Sequence, residues 1–161
     1  MDLEKEEWDH LKSFNLLTSK PVIYIANMSE DEVAEPDLCV HFQRVREFAD
    51  AENNHVIPVC ARMEEELAEL DKEERKMFLE ELGVTQSGLD QVITTAYEIL
   101  GLCTFFTVGE PECRAWTFKR GMKAPDCAGI IHTDFKKGFI RAETYSYEDL
   151  MKYQSELAVK E

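Results

Sequence analysis

Two short apolar runs constrain this chain more than any other feature. Val22-Ile23-Tyr24-Ile25-Ala26 and Val56-Ile57-Pro58-Val59 do not alternate with polar residues. A strand with one face in water alternates, whereas an unbroken run reads as a strand covered on both faces, the habit of parallel sheets. Between the two runs, Leu38, Phe42, Val45 and Ala49 recur at i, i+4, i+7 and i+11, the pattern of an amphipathic helix. Strand, helix, strand is the unit that builds a parallel pair.

The flanks extend this pattern with helices. Leu3–Phe14 is predicted helical, with Trp8, Leu11 and Phe14 on one side and acids at its start, and Lys20-Pro21 ends it. Met63, Leu67 and Leu70 mark a further helix, and Met77, Phe78 and Leu82 another, with Gly83 placed as its C-terminal cap. Ser87 caps the next, whose apolar face is Leu89, Val92, Ile93, Ala96, Ile99 and Leu100. The first hundred residues therefore read α-β-α-β-α-α-α. Two strands are few for a parallel sheet, so the reading expects neighbouring strands outside these residues.

Near Leu100–Thr104 the style changes. Cys103–Thr107 and Cys113–Phe118 are strand-like and joined by Val108-Gly109-Glu110-Pro111. Lys123–Phe135 reads as a short helix and turn, and the alternation of Ile140–Tyr145 predicts a third strand. Charge changes at the same place. Residues 1–113 carry 9 basic and 26 acidic side chains, whereas 114–141 carry 7 and 2. The net charge of −15 argues against a simple non-specific nucleic-acid binder. No apolar run approaches the roughly 20 residues of a membrane helix. The acidic N-terminus lacks a signal core, and the five cysteines show no C-x-x-C pair, so a cytoplasmic protein with reduced thiols is expected.

Two loops carry candidate chemistry. Asn27-Met28-Ser29-Glu30 follows the first apolar run, where open α/β sheets bind ligands. An Asn there offers its amide to a nucleobase edge, and Glu30 can accept from an exocyclic amine or a ring N–H; the competing reading is a turn with Ser29 as helix cap. Cys60-Ala61-Arg62 follows the second run and reads either as a small-residue turn that lets backbone N–H groups approach a ligand or as a core cysteine and helix start. Together the two strand ends would face one crevice. Gly83–Gly88 has phosphate-loop glycine spacing but follows a helix and lacks Lys-Ser/Thr, so it reads as a helix–helix turn. Glu64-Glu65-Glu66 and Glu73-Glu74 read as solvated faces, and His132-Thr133-Asp134 as a capping or packing group rather than a metal site. Arg114, Lys119, Arg120, Lys123, Lys136, Lys137 and Arg141 interleave with Trp116, Phe118, Phe135 and Phe139, which suits either RNA or a small domain with an aromatic core.

The blocks Arg114–Pro125, Ala128–Phe135 and Gly138–Glu143, with Thr104–Thr107 and Leu16–Val22, resemble the C-terminal region of the Obg-like ATPases. These are the YchF group of translation-factor-related P-loop NTPases. The resemblance covers nearly the whole chain. It implies an α/β end of a P-loop NTPase parallel sheet followed by an incomplete α+β β-grasp, ubiquitin-like TGS domain. Residues 1–19 would return from a coiled-coil insertion, 20–102 would form the C-terminal third of the nucleotide-binding domain, and 103–161 a truncated TGS domain. Asn27-Met28-Ser29-Glu30 matches the family's Asn-x-x-Glu base loop, and Cys60-Ala61-Arg62 its second base-contacting turn, with Cys60 where relatives carry Ser. Asn27, Met28, Glu30, Cys60, Ala61 and Arg62 are thereby implied to bind ATP in preference to GTP. Arg114, Lys119, Arg120, Lys123, Lys136 and Lys137 are implied to contact the ribosome or RNA.

No G-x-x-x-x-G-K-[ST] occurs in the sequence. The expectation is therefore a piece of a ribosome-associated, ATP-hydrolysing protein that carries the adenine loop while its phosphate loop and Mg2+ ligands lie elsewhere. Alone it is expected to turn over no ATP and to self-associate through under-covered apolar strands. The alternative is a non-catalytic RNA- or ribosome-binding module.

Overall fold

The computed structural model describes residues 4–109 and 112–160. Leu3, which opens the first helix in the sequence reading, and Glu110-Pro111 of the hairpin connection lie outside them. The chain divides into two compact units, Met1–Gly101 and Leu102–Glu161.

In the first unit, helix α1 (Lys5–Ser13) precedes strand β1 (Ile23–Asn27). A single helical turn, α2 (Glu30–Val33), and helix α3 (Val40–Ala51) lead to strand β2 (His55–Val59). Helices α4 (Ala61–Glu69), α5 (Lys72–Glu81) and α6 (Gly88–Ile99) follow. β1 and β2 pair in parallel, with Ile23 opposite His55 and Asn27 opposite Val59. The unalternated runs thus make the parallel pair that their composition demands.

Their burial is another matter. Helix α3 packs against both strands and α6 against β2. Tyr24 meets Phe48 of α3 edge to face, which puts Tyr24 and its neighbour Val56 on the α3 side. The opposite face carries Ile25, Ile57 and Val59. There α6 covers β2, so Ile57 is buried, but Ile25 on β1 is 56% exposed. The runs predict strands buried on both faces; Ile25 on β1 is exposed instead. The strand also begins at Ile23 rather than Val22.

The core of this unit lies under α4. Cys60, Met63, Leu67 and Leu79 are buried together, with Val33, Leu70, Phe78, Leu82 and Val84 packed around them. On α5 the buried residue is Leu79, whereas Met77, which the sequence reading placed on the apolar face, is 62% exposed. Gly83 ends α5 at φ +70, with its N–H on the Glu80 carbonyl and the Val84 N–H on the Leu79 carbonyl, a Schellman closure that needs the left-handed region. Ser87 caps α6 by accepting the Asp90 N–H at 3.1 Å. Gly83–Gly88 is a helix–helix turn, as its context indicates.

In the second unit, strands β3 (Leu102–Val108) and β4 (Cys113–Lys119) form an antiparallel hairpin. Helices α7 (Ala124–Ile131), α8 (Thr133–Lys137), α9 (Tyr147–Tyr153) and α10 (Glu156–Lys160) follow. Phe105 pairs with Trp116 and Cys103 with Phe118, so Phe105, Trp116 and Phe118 share one face, while Phe106, opposite Ala115, lies on the other; α7 packs on β4. His132 caps α8 by accepting the Asp134 N–H at 3.3 Å. The strand predicted over Ile140–Tyr145 is absent: these residues are irregular, and Ile140 is 90% exposed. Alternation makes a strand only where a neighbour supplies ladder hydrogen bonds, and neither sheet among the described residues includes this segment. Helices α9 and α10 went unread, although Ser146 followed by Asp149 is a capping signal, and Ser146 Oγ does accept the Asp149 N–H at 3.0 Å. The chain is thus an α/β unit with a two-stranded parallel sheet, followed by an α+β unit built on an antiparallel hairpin. No helix among the described residues is long and apolar enough to cross a membrane.

Candidate functional site

Because β1 and β2 are parallel neighbours in register, their C-terminal ends lie at the same edge of the sheet. The loops that leave them, Asn27–Asp31 and Cys60–Arg62, line a shared cleft of about 360 Å3. That is the lower end of the roughly 300–1,000 Å3 typical of small-molecule sites. The cleft walls are Asn27, Met28, Ser29, Glu30, Asp31, Cys60, Ala61 and Arg62. All six base-site residues read from the sequence are among them; Ser29 and Asp31 are added.

Two contacts join the loops. Asn27 Oδ1 accepts the Ala61 N–H at 3.1 Å. That N–H belongs to the first turn of α4, where no carbonyl within the helix is available to it. Arg62 Nε lies 3.3 Å from Glu30 Oε1. The register is kept by the Met28 N–H, which donates to the Val59 carbonyl at 2.8 Å. Cys60, the residue before α4, is buried and reaches from the cleft into the cluster of Met63 and Leu67.

Local caps hold the first loop. Glu32 reaches back to Ser29, accepting from its hydroxyl at 3.0 Å and from its N–H at 3.4 Å. The Cys39 thiol donates to the same carboxylate at 3.5 Å. The Ser29 hydroxyl first, then the Ser29 N–H and the Cys39 thiol, hold the Glu32 carboxyl below its ordinary value. Ser29 is therefore both a cap and a cleft residue, and the two readings of Asn27–Glu30 are compatible.

The second loop is anchored by residues that sequence reasoning assigned to solvent. Glu64 accepts the Gly88 N–H at 2.6 Å, tying the start of α6 to α4. Glu66 lies 3.4 Å from Arg62 Nε. The i,i+4 spacing of Arg62 and Glu66 signals their pair; the Glu64–Gly88 bond spans 24 positions and leaves no local trace.

The basic residues of the second unit do not form one cluster. Lys119, Arg120 and Lys123 gather around the turn after β4, where Gly121 adopts φ +88 and the Met122 N–H donates to the Lys119 carbonyl. Arg114 stands at the other end of β4, its guanidinium 4.3 Å from the centre of the Trp116 ring. An odd separation puts Arg114 and Lys119 on opposite faces of the strand. Lys136 is engaged within the fold: its ammonium is 2.7 Å from Asp126 Oδ1. Lys137 is exposed at the end of α8. Among the described residues no group of three or more His, Cys, Asp or Glu side chains converges as a metal site.

Comparison with known proteins gives one answer. Residues 102–161 match the family described as YchF-GTPase_C, "Protein of unknown function (DUF933)". The chain is 58% identical over 151 residues to the ribosome-binding ATPase YchF of Bacillus subtilis, covering 94% of this chain and 41% of that protein. It is 47% identical over 161 residues to the protein of the same name from Pasteurella multocida, covering 100% and 44%. The solved structure of the Schizosaccharomyces pombe YchF GTPase superposes with a TM-score of 0.84 at 36% identity, over 99% of this chain and 42% of that one. The chain thus spans about two fifths of the length of the relatives it matches. Over nearly its whole length it matches the C-terminal part of YchF family members.

Proposed function

We propose that this chain carries the adenine-recognising part of the ATP site of a ribosome-associated ATPase. The observation that supports this most is the Asn27–Ala61 bond at the mouth of the cleft. With its oxygen committed to a backbone N–H, the Asn27 carboxamide has one orientation, and its NH2 becomes a donor for a purine ring nitrogen. Glu30, ionised, only accepts. Guanine offers a ring N–H and an amine side by side, the pair that a shorter Asp takes in GTPases. Adenine offers an acceptor at that ring nitrogen and a single exocyclic amine, which the longer Glu side chain suits. Met28, a soft thioether on the cleft wall, packs on a ring.

The residues present fit a base, and they fit no more of the nucleotide than that. The sequence has no phosphate-loop motif, and among the described residues no group of three or more His, Cys, Asp or Glu side chains could hold a metal ion. In this reading the phosphate- and Mg2+-binding residues are supplied from outside these 161 residues, and the chain alone turns over no ATP. The test is nucleotide preference in the ATPase that contains this segment. Glu30→Asp is expected to narrow the preference for ATP over GTP; an unchanged ratio removes Glu30 from base choice.

A second reading concerns the partner of the other unit, taken as a β-grasp TGS domain from about Cys103. The cationic turn Lys119–Lys123, with Arg114 stacked on Trp116, suits phosphate and base contacts to RNA, and relatives are named ribosome-binding. Four phosphate contacts through Lys119, Arg120, Lys123 and Lys137 give a log–log salt slope of roughly −3. No association with ribosomes or RNA at low salt sinks this reading.

A further inference from the structure

Glu30 is the first residue of a single helical turn and stands about half exposed, so packing does not fix its rotamer. What reaches it is Arg62, from the other loop. Arg62 Nε is 3.3 Å from Glu30 Oε1 and 3.4 Å from Glu66 Oε1. Glu66 is one turn along α4, so the guanidinium is held by its own helix on one side and by the base loop on the other. Ala61 and Arg62 are consecutive, and they address the two polar side chains of Asn27-x-x-Glu30 separately, Ala61 through its N–H and Arg62 through its side chain.

We infer that Arg62 is a positioning residue for base choice: it holds the Glu30 carboxylate at the cleft without itself touching the base. This rests on the adenine-site reading above. A cation at a nucleotide cleft invites a phosphate role instead, but the surroundings oppose it. The Nε of Arg62 is shared between two carboxylates, and Asp31 also lines the cleft, so the locality is net acidic and repels an anion. A guanidinium also suits the task, because it is always charged and its several N–H groups can serve the Glu30 and Glu66 carboxylates at once.

The experiment titrates AMP and GMP separately into the full-length ATPase that contains this segment, following the Asn27 side-chain amide and the Ala61 N–H by NMR, which reads weak binding directly. Both ligands carry the same phosphate, so the ratio of their dissociation constants cancels any attraction of Arg62 for phosphate. Arg62→Gln is expected to reduce the preference for AMP about three- to fivefold, the upper range for an exposed ion pair. Arg62→Lys, which keeps the charge and loses the guanidinium, is expected to recover part of it. The Arg62 side chain is largely exposed, so neither change opens the core. If Arg62→Gln weakens AMP and GMP equally, the role is phosphate attraction and the inference is overturned while the adenine site stands. If the unsubstituted protein shows no AMP-dependent shift, or no preference, the adenine site falls and this inference with it.

Discussion

The cleft stands on the cluster beneath α4, and Leu67→Ala tests that foundation. Leu67 is 2% exposed and packs with Cys60, Met63 and Leu79. Truncation removes three carbons, worth about 2.4 kcal/mol in transfer free energy at roughly 0.8 per buried group. The cavity left behind adds to this, and measured Leu→Ala changes in cores run about 2.7–5 kcal/mol. The neighbours that could collapse into the space, Val33, Phe78 and Val84, lie at the partly exposed margin of the cluster, which favours the lower part of that range. The expected loss is about 3 kcal/mol, a large share of the roughly 5–15 kcal/mol that holds an ordinary domain.

Met77→Ala is the matched control. Met77 was grouped with the apolar face from sequence, yet it is exposed, so its truncation should cost under about 0.5 kcal/mol. Urea unfolding, followed by amide exchange at Ile57 and Val59, reads both variants on the sheet that carries the cleft. Equal effects from Leu67→Ala and Met77→Ala, or a loss below about 1 kcal/mol for Leu67→Ala, would refute the placement of the core. The consequence extends to the site, because Cys60 belongs both to this cluster and to the cleft wall.

Two glycines should fail by different mechanisms. Gly83→Ala meets nothing within 4 Å and so reports left-handed backbone strain alone, about 1 kcal/mol by urea unfolding. In Gly88→Ala the new Cβ would lie 2.9 Å from Val59 Cγ2 and 3.1 Å from Glu64 Oε1, so overpacking of about 1–3 kcal/mol and a shift of the Glu64–Gly88 bond are expected; an unmoved Gly88 amide resonance, or no measurable loss of stability, contradicts the assignment. In the second unit, the hydrogen bond and charge of Lys136 hold the Asp126 carboxyl below its ordinary 3.8. The pair's stabilisation is complete above that value and disappears as pH falls through the lower folded value. A carbon-13 carboxyl titration should therefore show a midpoint that rises in Lys136→Ala, and an unmoved midpoint rules the pair out.

What the sequence makes legible here is whatever depends on nearest neighbours along the chain. Ser87 before α6 and Gly83 after α5 are legible because capping needs only residues two to four positions away, whereas the break at His132 between α7 and α8 falls inside the single helix and turn read over Lys123–Phe135. The β1–β2 pair was legible for a related reason, since an unalternated apolar run is intelligible only in a sheet with cover. Burial depends on what actually lies over each face, which is not local. Ile25 and Ile57 share a face of the sheet, yet α6 reaches only Ile57, and nothing in either run distinguishes them. Ile140–Tyr145 shows the same limit, because alternation describes a strand's faces and says nothing of a partner. At the cleft, Asn27 and Cys60–Arg62 were legible as consecutive strand ends. Glu64 was read as solvated because its acceptor role is fixed by Gly88, far along the chain.

This division between local and long-range order also bears on how the cleft works. Its rigid element is the buried pair Met63 and Leu67 below α4, whereas the contacts that join its two loops are exposed. In water, the Asn27–Ala61 hydrogen bond and the Arg62–Glu30 pair each contribute at most about 1 kcal/mol. Each sets a preferred side-chain orientation in the free protein without making its loop rigid. A base seated on Met28 would cover both contacts, and excluding water lowers the local dielectric and strengthens each of them. Under the adenine-site reading, discrimination is therefore expressed in the bound state. A base that donates to Glu30 joins a network that tightens as it is covered. A base that cannot donate there leaves a carboxylate desolvated beside it, a penalty larger than the loss of one hydrogen bond.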